Sequence, residues 1–164
     1  MEKKLFDAID YSILSSGKRL RPFLVLKSSE LFSVEKERAL RVAAAIEMVH
    51  AYSLVHDDLP SMDDDDLRRG KPTTHKKFNE AIAILTGDSL LTLSFEILSD
   101  TLTHSDAKIR CELISELSKA AGALGMVGGQ MMDLEAENKN LNIGVITRIQ
   151  RLKTGALISF ACIS

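Results

Sequence analysis

AAAIEMVHAYSLVHDDLPSMDDDDLRRG, residues 43–70, begins as an apolar run and ends in six aspartates followed at once by two arginines. The first half has almost no polar surface, so the helix predicted over 35–58 is expected to be buried on most sides, with Leu59-Pro60 ending it. Asp57 then falls in the last helical turn, where the helix dipole disfavours an anion. A carboxylate pair there, close to four more, repels itself unless a divalent cation neutralises it. Mg²⁺ suits such a place: it is hard, seeks oxygen, and is commonly held by one or two carboxylates together with substrate phosphates. Arg68 and Arg69 add forked donors, and carboxylates beside guanidinium groups make sense when a metal-bridged diphosphate lies between them. The plainer alternative, a solvated acidic loop, stays open at this point.

Outward from this stretch the pattern is helical almost throughout. Residues 3–16 form a short amphipathic segment with Leu5, Ile9 and Ile13 at spacing four, broken by Gly17. Arg21-Pro22 opens a second helix that runs to about Phe32, proline being tolerated in a first turn. Residues 61–77 are charged, broken by Gly70 and Pro72, and read as a loop. Helix resumes near Asn79 and continues to about Leu98, with Gly87 a weak point or a close-packing site. Asp106 is expected to cap a helix carrying Ile109, Leu113, Leu117 and Ala120 on one face. Glycines 122, 125, 128 and 129 predict a tight break before QMMDLEAE. A last helix begins near Asn142 or Ile143, and its stripe is Val145, Ile149, Leu152, Ala156, Phe160 and Ile163. Without β alternation, repeat or linker, the class is all-α: a bundle of about seven helices in one domain, 1–164.

Apolar residues make up 45% of the chain and charged residues 27%, a globular composition. A net charge of −2 supplies no basic field to recruit nucleic acid or an anionic membrane. Cys111 and Cys162 lack metal-ligand spacing and are read as inert, which fits a reducing compartment. The N-terminus lacks the apolar stretch of a signal peptide, and no uninterrupted apolar run approaches ~18 residues. A cytoplasmic protein without a membrane span is expected.

Five motifs occur in order: GKRLRP (17–22), HAYSLVHDDLPSMDDDDLRRGKPTTH (50–75), GDSLL (87–91), GGQMMDLEAE (128–137) and KTGAL (153–157). Together they resemble the trans-isoprenyl diphosphate synthases, or polyprenyl synthetases, and within them the bacterial farnesyl type. The resemblance implies an isoprenoid-synthase-type helical bundle. It implies an Mg²⁺-dependent prenyltransferase that condenses isopentenyl diphosphate with an allylic diphosphate (dimethylallyl or geranyl) to farnesyl diphosphate.

By the same resemblance, Asp57 and Asp63 are the metal ligands, and with Arg68 and Lys153 the catalytic set. Lys18, Arg21, His50 and Arg69 are implied to bind isopentenyl diphosphate. Two spacings agree with that: Lys18 and Arg21 share one side of a helical turn, and His50 lies two turns before Asp57 on one face. Arg68, Lys153 and Thr154 are implied to clamp the allylic diphosphate. Gln130 and Asp133 support the cavity. Tyr52 and Ser53, about one turn below the ligand, are the implied determinants of chain length, and a geranylgeranyl product is the alternative.

The pattern departs from the family in one respect. A second Asp-rich motif, DDxxD, is characteristic of these enzymes, and no aspartate follows Asp133. The expectation is therefore an incomplete bundle, truncated before that motif, with apolar faces left uncovered. A non-catalytic remnant or subunit that keeps the diphosphate–Mg²⁺ pocket is the competing reading. The resemblance allows a homodimer or a separately encoded C-terminal half as partner. A metal phosphohydrolase built on His56-Asp57 is a third reading, and it requires further ligands on other helices.

Overall fold

The computed structural model describes residues 2–15, 17–137 and 139–164. The helices are α1 (Glu2–Ile13), α2 (Leu20–Leu31), α3 (Lys36–Asp57), α4 (Thr74–Lys77), α5 (Glu80–Ser99), α6 (Ala107–Ala121), α7 (Met126–Ala136), α8 (Ile143–Gln150) and α9 (Ala156–Ile163). A π-helical segment, Arg151–Gly155, joins α8 to α9 without a break. If that run is taken as one helix and the single turn α4 is set aside, seven helices remain among the described residues, in agreement with the all-α expectation.

α3 is the axis of the bundle. Ala39, Val42, Ala43, Ala45, Ile46, Val49, Ala51, Tyr52 and Val55 are all buried along it. Its alanines let neighbouring helices approach closely, and α5 packs against it most extensively, followed by α2. Val25 of α2, Leu90 and Leu98 of α5, Leu117 of α6, and Leu157, Phe160 and Ala161 of α9 complete the core. Side chains of this size gain roughly 1.5–3 kcal/mol each on full burial, so α3 is held from all sides and its last turn is a rigid platform for Asp57.

The cap expected at Asp106 is present, and the helix starts read near Asn79 and Asn142 are capped as well. The side chains of Asn79, Asp106 and Asn142 accept hydrogen bonds from the backbone N–H groups of Ile82 (2.8 Å), Lys108 (2.8 Å) and Val145 (3.1 Å). Pro22 sits in the first turn of α2, where its missing N–H costs nothing.

Three expectations need correcting. The 61–77 region contains a small antiparallel hairpin, β1 (Leu67–Arg68) with β2 (Lys71–Pro72), and then the turn of α4. Its two-residue loop has φ 54° at Arg69 and 77° at Gly70, the double left-handed turn that matches strand twist and favours glycine in second place. Gly128 and Gly129 lie inside α7, so the break spans Gly122–Gly125 only. At Gly129 a Cβ would come within 2.2 Å of the Lys153 backbone nitrogen, which makes this glycine a close-approach site. Finally, the last helix is interrupted by the π segment, which sequence periodicity did not show.

α5 is long and apolar enough to cross a bilayer by length and composition, the single such helix among the described residues. It carries Asp88 and Glu96 and packs against α3, α1, α4 and α6 as a core helix. Cys111 and Cys162 are both free and exposed. Exposed apolar side chains include Leu31 (81% exposed) and Phe32 (79%) at the end of α2 and Leu124 (90%) between α6 and α7.

Candidate active site

The acidic stretch is folded back on the end of α3. The backbone N–H of Asp63 donates to the Asp57 carbonyl at 2.8 Å, and those of Met62 and Asp64 donate to the Leu59 carbonyl at 2.9 and 3.1 Å. This tight turn brings the exposed Asp63 close enough to Asp57 for its charge to act there. The Asp57 carboxyl is pushed up to about 6, first by burial, with Lys153 opposing and Asp63 adding to the rise. A carboxylate so disfavoured by its surroundings gains from a cation. Among the described residues no three His, Cys, Asp or Glu side chains are grouped to enclose a metal ion. Asp57 and Asp63 are the two carboxylates that the end of α3 and its turn offer a cation, a donor set of the hard oxygen type that Mg²⁺ takes.

Asp57 opens on a cavity of about 460 Å³ that is also lined by Tyr52, Ser53, Lys153 and Thr154. The wide π turn presents the consecutive Lys153 and Thr154 to the same space. Lys153 Nζ lies 2.5 Å from Asp133 Oδ2 on α7, so it is tied to the cavity wall rather than extended into solvent. Gln130 lines the cavity too, and its buried Oε1 has no hydrogen-bond partner among the described residues. Tyr52 is 8% exposed and meets the His56 ring edge-on at 5.7 Å between centroids. Ser53 Oγ donates to the His50 carbonyl at 2.9 Å.

Lys18, Arg21, His50 and Arg69 are brought together around a second cavity of about 570 Å³. Arg21 and His50 border both spaces. The Arg21 Nε is buried without a hydrogen-bond partner among the described residues, a donor available to an anion. His50 is held down to about 4 by burial and then by Arg21, Arg69, Arg19 and Arg68. At neutral pH it is an uncharged imidazole amid cations.

The hairpin divides the two consecutive arginines: Arg68 ends β1, while Arg69 stands in the left-handed loop. Arg69 joins the basic cavity, while Arg68 Nε donates to Asp58 Oδ1 at 2.6 Å and its Nη2 to Asp65 Oδ2 at 3.2 Å. Arg68 thus lines neither cavity, although its charge reaches Asp57. Asp58 is buried on this pair. His56 is likewise committed, with Nε2 3.1 Å from the Ile84 carbonyl and its ring against Gly87, a close-packing glycine. Neither His75 nor His104 joins His56 and Asp57 in a cavity, which removes the support for a phosphohydrolase centre.

The sequence did not single out the apolar lining Met62, Met126, Val127, Met131 and Leu134, nor Arg19 and Glu47 in the basic cavity. The methionines carry no signal of their own, because a Met stripe at helical spacing is ordinary core. Glu47 was legible only as the one acid in an otherwise apolar helix stretch.

A family model described as Polyprenyl synthetase matches residues 2–164. The farnesyl diphosphate synthase of Escherichia coli (strain K12) is 53% identical over 156 residues, which are 94% of this chain and 52% of that protein. The geranylgeranyl pyrophosphate synthase 7, chloroplastic, of Arabidopsis thaliana is 44% identical, over 98% of this chain and 47% of its own length. Among solved structures, an FPP/GFPP synthase from Zymomonas mobilis superposes with a TM-score of 0.95 at 53% identity, over 98% of this chain and 59% of that one. The chain spans about half the length of the curated relatives it matches.

Proposed function

Since the chain belongs to the polyprenyl synthetase family, we propose that it carries the metal and diphosphate half of a farnesyl-type prenyltransferase site. The reaction joins isopentenyl diphosphate to an allylic diphosphate. The observation that supports this best is the pairing of two cavities across Arg21 and His50. One is basic, and the other is apolar with Asp57 and Lys153 in its lining.

Asp57 and Asp63 would hold Mg²⁺, which when bound neutralises oxygens of the departing diphosphate. Lys153 and Thr154 bind the same diphosphate from the π segment, Lys153 being kept in reach by Asp133. Lys18, Arg21, His50 and Arg69 hold isopentenyl diphosphate by charge and N–H donation. The allylic C–O bond breaks with its electron pair leaving on diphosphate, and the isopentenyl double bond forms the new C–C bond. Loss of a proton then restores an alkene. No protein nucleophile takes part; the chain contributes fixed charge and a lining that excludes water from the cation. Met62, Met126, Met131 and Leu134 suit that second task. Tyr52 floors the cavity, which favours a farnesyl product over a longer one. In this reading the enzyme is cytoplasmic and works as a homodimer or with a separately encoded C-terminal half.

The test is incubation of the purified chain with Mg²⁺, isopentenyl diphosphate and geranyl diphosphate. Lipid-extractable farnesyl product, absent in Asp57→Ala, is the expected result. Metal-dependent diphosphate binding without any product would leave a binding subunit instead.

A further inference from the structure

One carboxylate faces the cations of the basic cavity. Glu47 lies on α3 one turn before His50, with its side chain 12% exposed, among Lys18, Arg19, Arg21, His50 and Arg69. Left alone, a carboxylate there competes with an anionic ligand for the same donors, and its charge already acts on Arg21. Arg19 answers it. The guanidinium forms an ion pair with Glu47, and its Nη2 donates to the Ile13 carbonyl at 2.7 Å, at the end of α1, and to the Ser15 carbonyl at 2.6 Å just past it. Protein acceptors thus engage both terminal nitrogens of the fork. The backbone is specialised for this: Arg19 is left-handed at φ 49°, a conformation uncommon for residues with a Cβ and often found where function over-determines the fold. The twist sits between exposed Lys18 and the start of α2, so adjacent cations take separate tasks.

We infer that Arg19 is a positioning residue of the basic cavity, whose guanidinium clasps Glu47 to the end of α1 so that Lys18 and Arg21 keep their charge for a diphosphate. The inference rests on the reading of that cavity as the isopentenyl diphosphate site. Arg19 does not itself contact the ligand; it withdraws a competitor.

Calorimetric titration of isopentenyl diphosphate into the whole chain, with EDTA and no divalent metal, tests the clasp. Arg19→Ala is expected to bind about tenfold more weakly or worse, because Glu47 is released towards Arg21. Adding Glu47→Gln to that variant removes the competitor and restores affinity to within about threefold of the unaltered chain. Glu47→Gln alone stays within about threefold as well. A purely structural role for Arg19 predicts a double variant no better than the single one, and that outcome overturns the inference. So does an Arg19→Ala affinity within about twofold of the original, or a large loss in Glu47→Gln alone. Absence of binding by the unaltered chain overturns the reading of the cavity and the clasp with it. Binding that is retained yet indifferent to Arg19 removes the clasp alone.

Discussion

The cavity around Lys18 is walled by the loop before α2, by α3 and by the β1–β2 hairpin; the cavity around Asp57 is walled by α3, α7 and the π segment. The first is crowded with fixed positive charge and has Leu20 as its apolar side chain. The second has one buried-edge carboxylate, one lysine already paired to Asp133, and a wall of methionines. In the proposed reading both take a diphosphate, by different physics: the first through protein cations alone, the second through a metal held by Asp57 and Asp63 together with Lys153. α3 serves both, since His50 and Asp57 are two turns apart on one face. In that reading a single rigid helix sets the distance between the two ligands, while Lys18 and Arg69 come from loops, Arg21 from α2 and Lys153 from the π segment.

That contrast can be broken most sharply at Asp57. Asp57→Ala is expected to lower product formation by about 10²–10³-fold. Metal-free titration of isopentenyl diphosphate into the same variant should change by less than about twofold. Loss in both assays would mean that the cavities are not separable.

Tyr52→Ala comes next. It deepens the apolar cavity only, so the product should lengthen by at least one isoprene unit in thin-layer analysis. Removing a buried aromatic should also cost about 3 kcal/mol of stability in urea unfolding. An unchanged product profile would take Tyr52 out of that role.

Arg68→Ala probes the hairpin between the cavities. It strands the buried Asp58, so a stability loss of about 1–3 kcal/mol is expected, reduced from the cost of a fully buried pair by the 31% exposure of Arg68. Metal-free isopentenyl diphosphate binding should move far less, because Arg69 supplies that cavity. A large affinity loss at constant stability would put Arg68 at the ligand instead.

The smallest effect is a pair of opposed pH slopes. His50 titrates at about 4, below the ordinary 6.5, so between those values the unfolded chain binds the extra proton and stability rises with pH. Asp57 titrates at about 6, above the ordinary 3.8, so the folded chain binds the extra proton and stability falls as pH rises through that window. In the overlap the two work against each other. His50→Gln should expose the falling slope and Asp57→Asn the rising one, read as Tm against pH, at about 2–4 °C for each kcal/mol. Parallel slopes in the two variants would refute the assignment.

Much of this frame was legible from residues 43–70 and the caps. Asn79, Asp106 and Asn142 announce helix starts because capping is a local interaction between one side chain and the next turn. The apolar run around Ala43–Val55 announces burial because so little polar surface leaves no solvent face. The hairpin was not legible, since two-residue strands are too short to alternate. The π segment was not legible either. It forms where α7 presses Gly129 against the Lys153 backbone, a contact between positions far apart in the chain. The partners of Arg68 and Lys153 were hidden for the same reason: charge in a sequence does not say which of several acids it will meet. The family likeness implied that Lys18, Arg21, His50 and Arg69 share a ligand, and these four do border one cavity. It grouped Arg68 with Lys153, which here line no common cavity.

The widened turn at Arg151–Gly155 acts as slack in the last helix. A regular helix advances 100° per residue, so a strict register would bind the direction of Lys153 to that of Phe160. With one residue of play, the upstream part can face the reaction space while Leu157, Phe160 and Ala161 stay seated in the interior. Deleting a single residue there would take up the slack and force a choice between an aligned lysine and a seated phenylalanine.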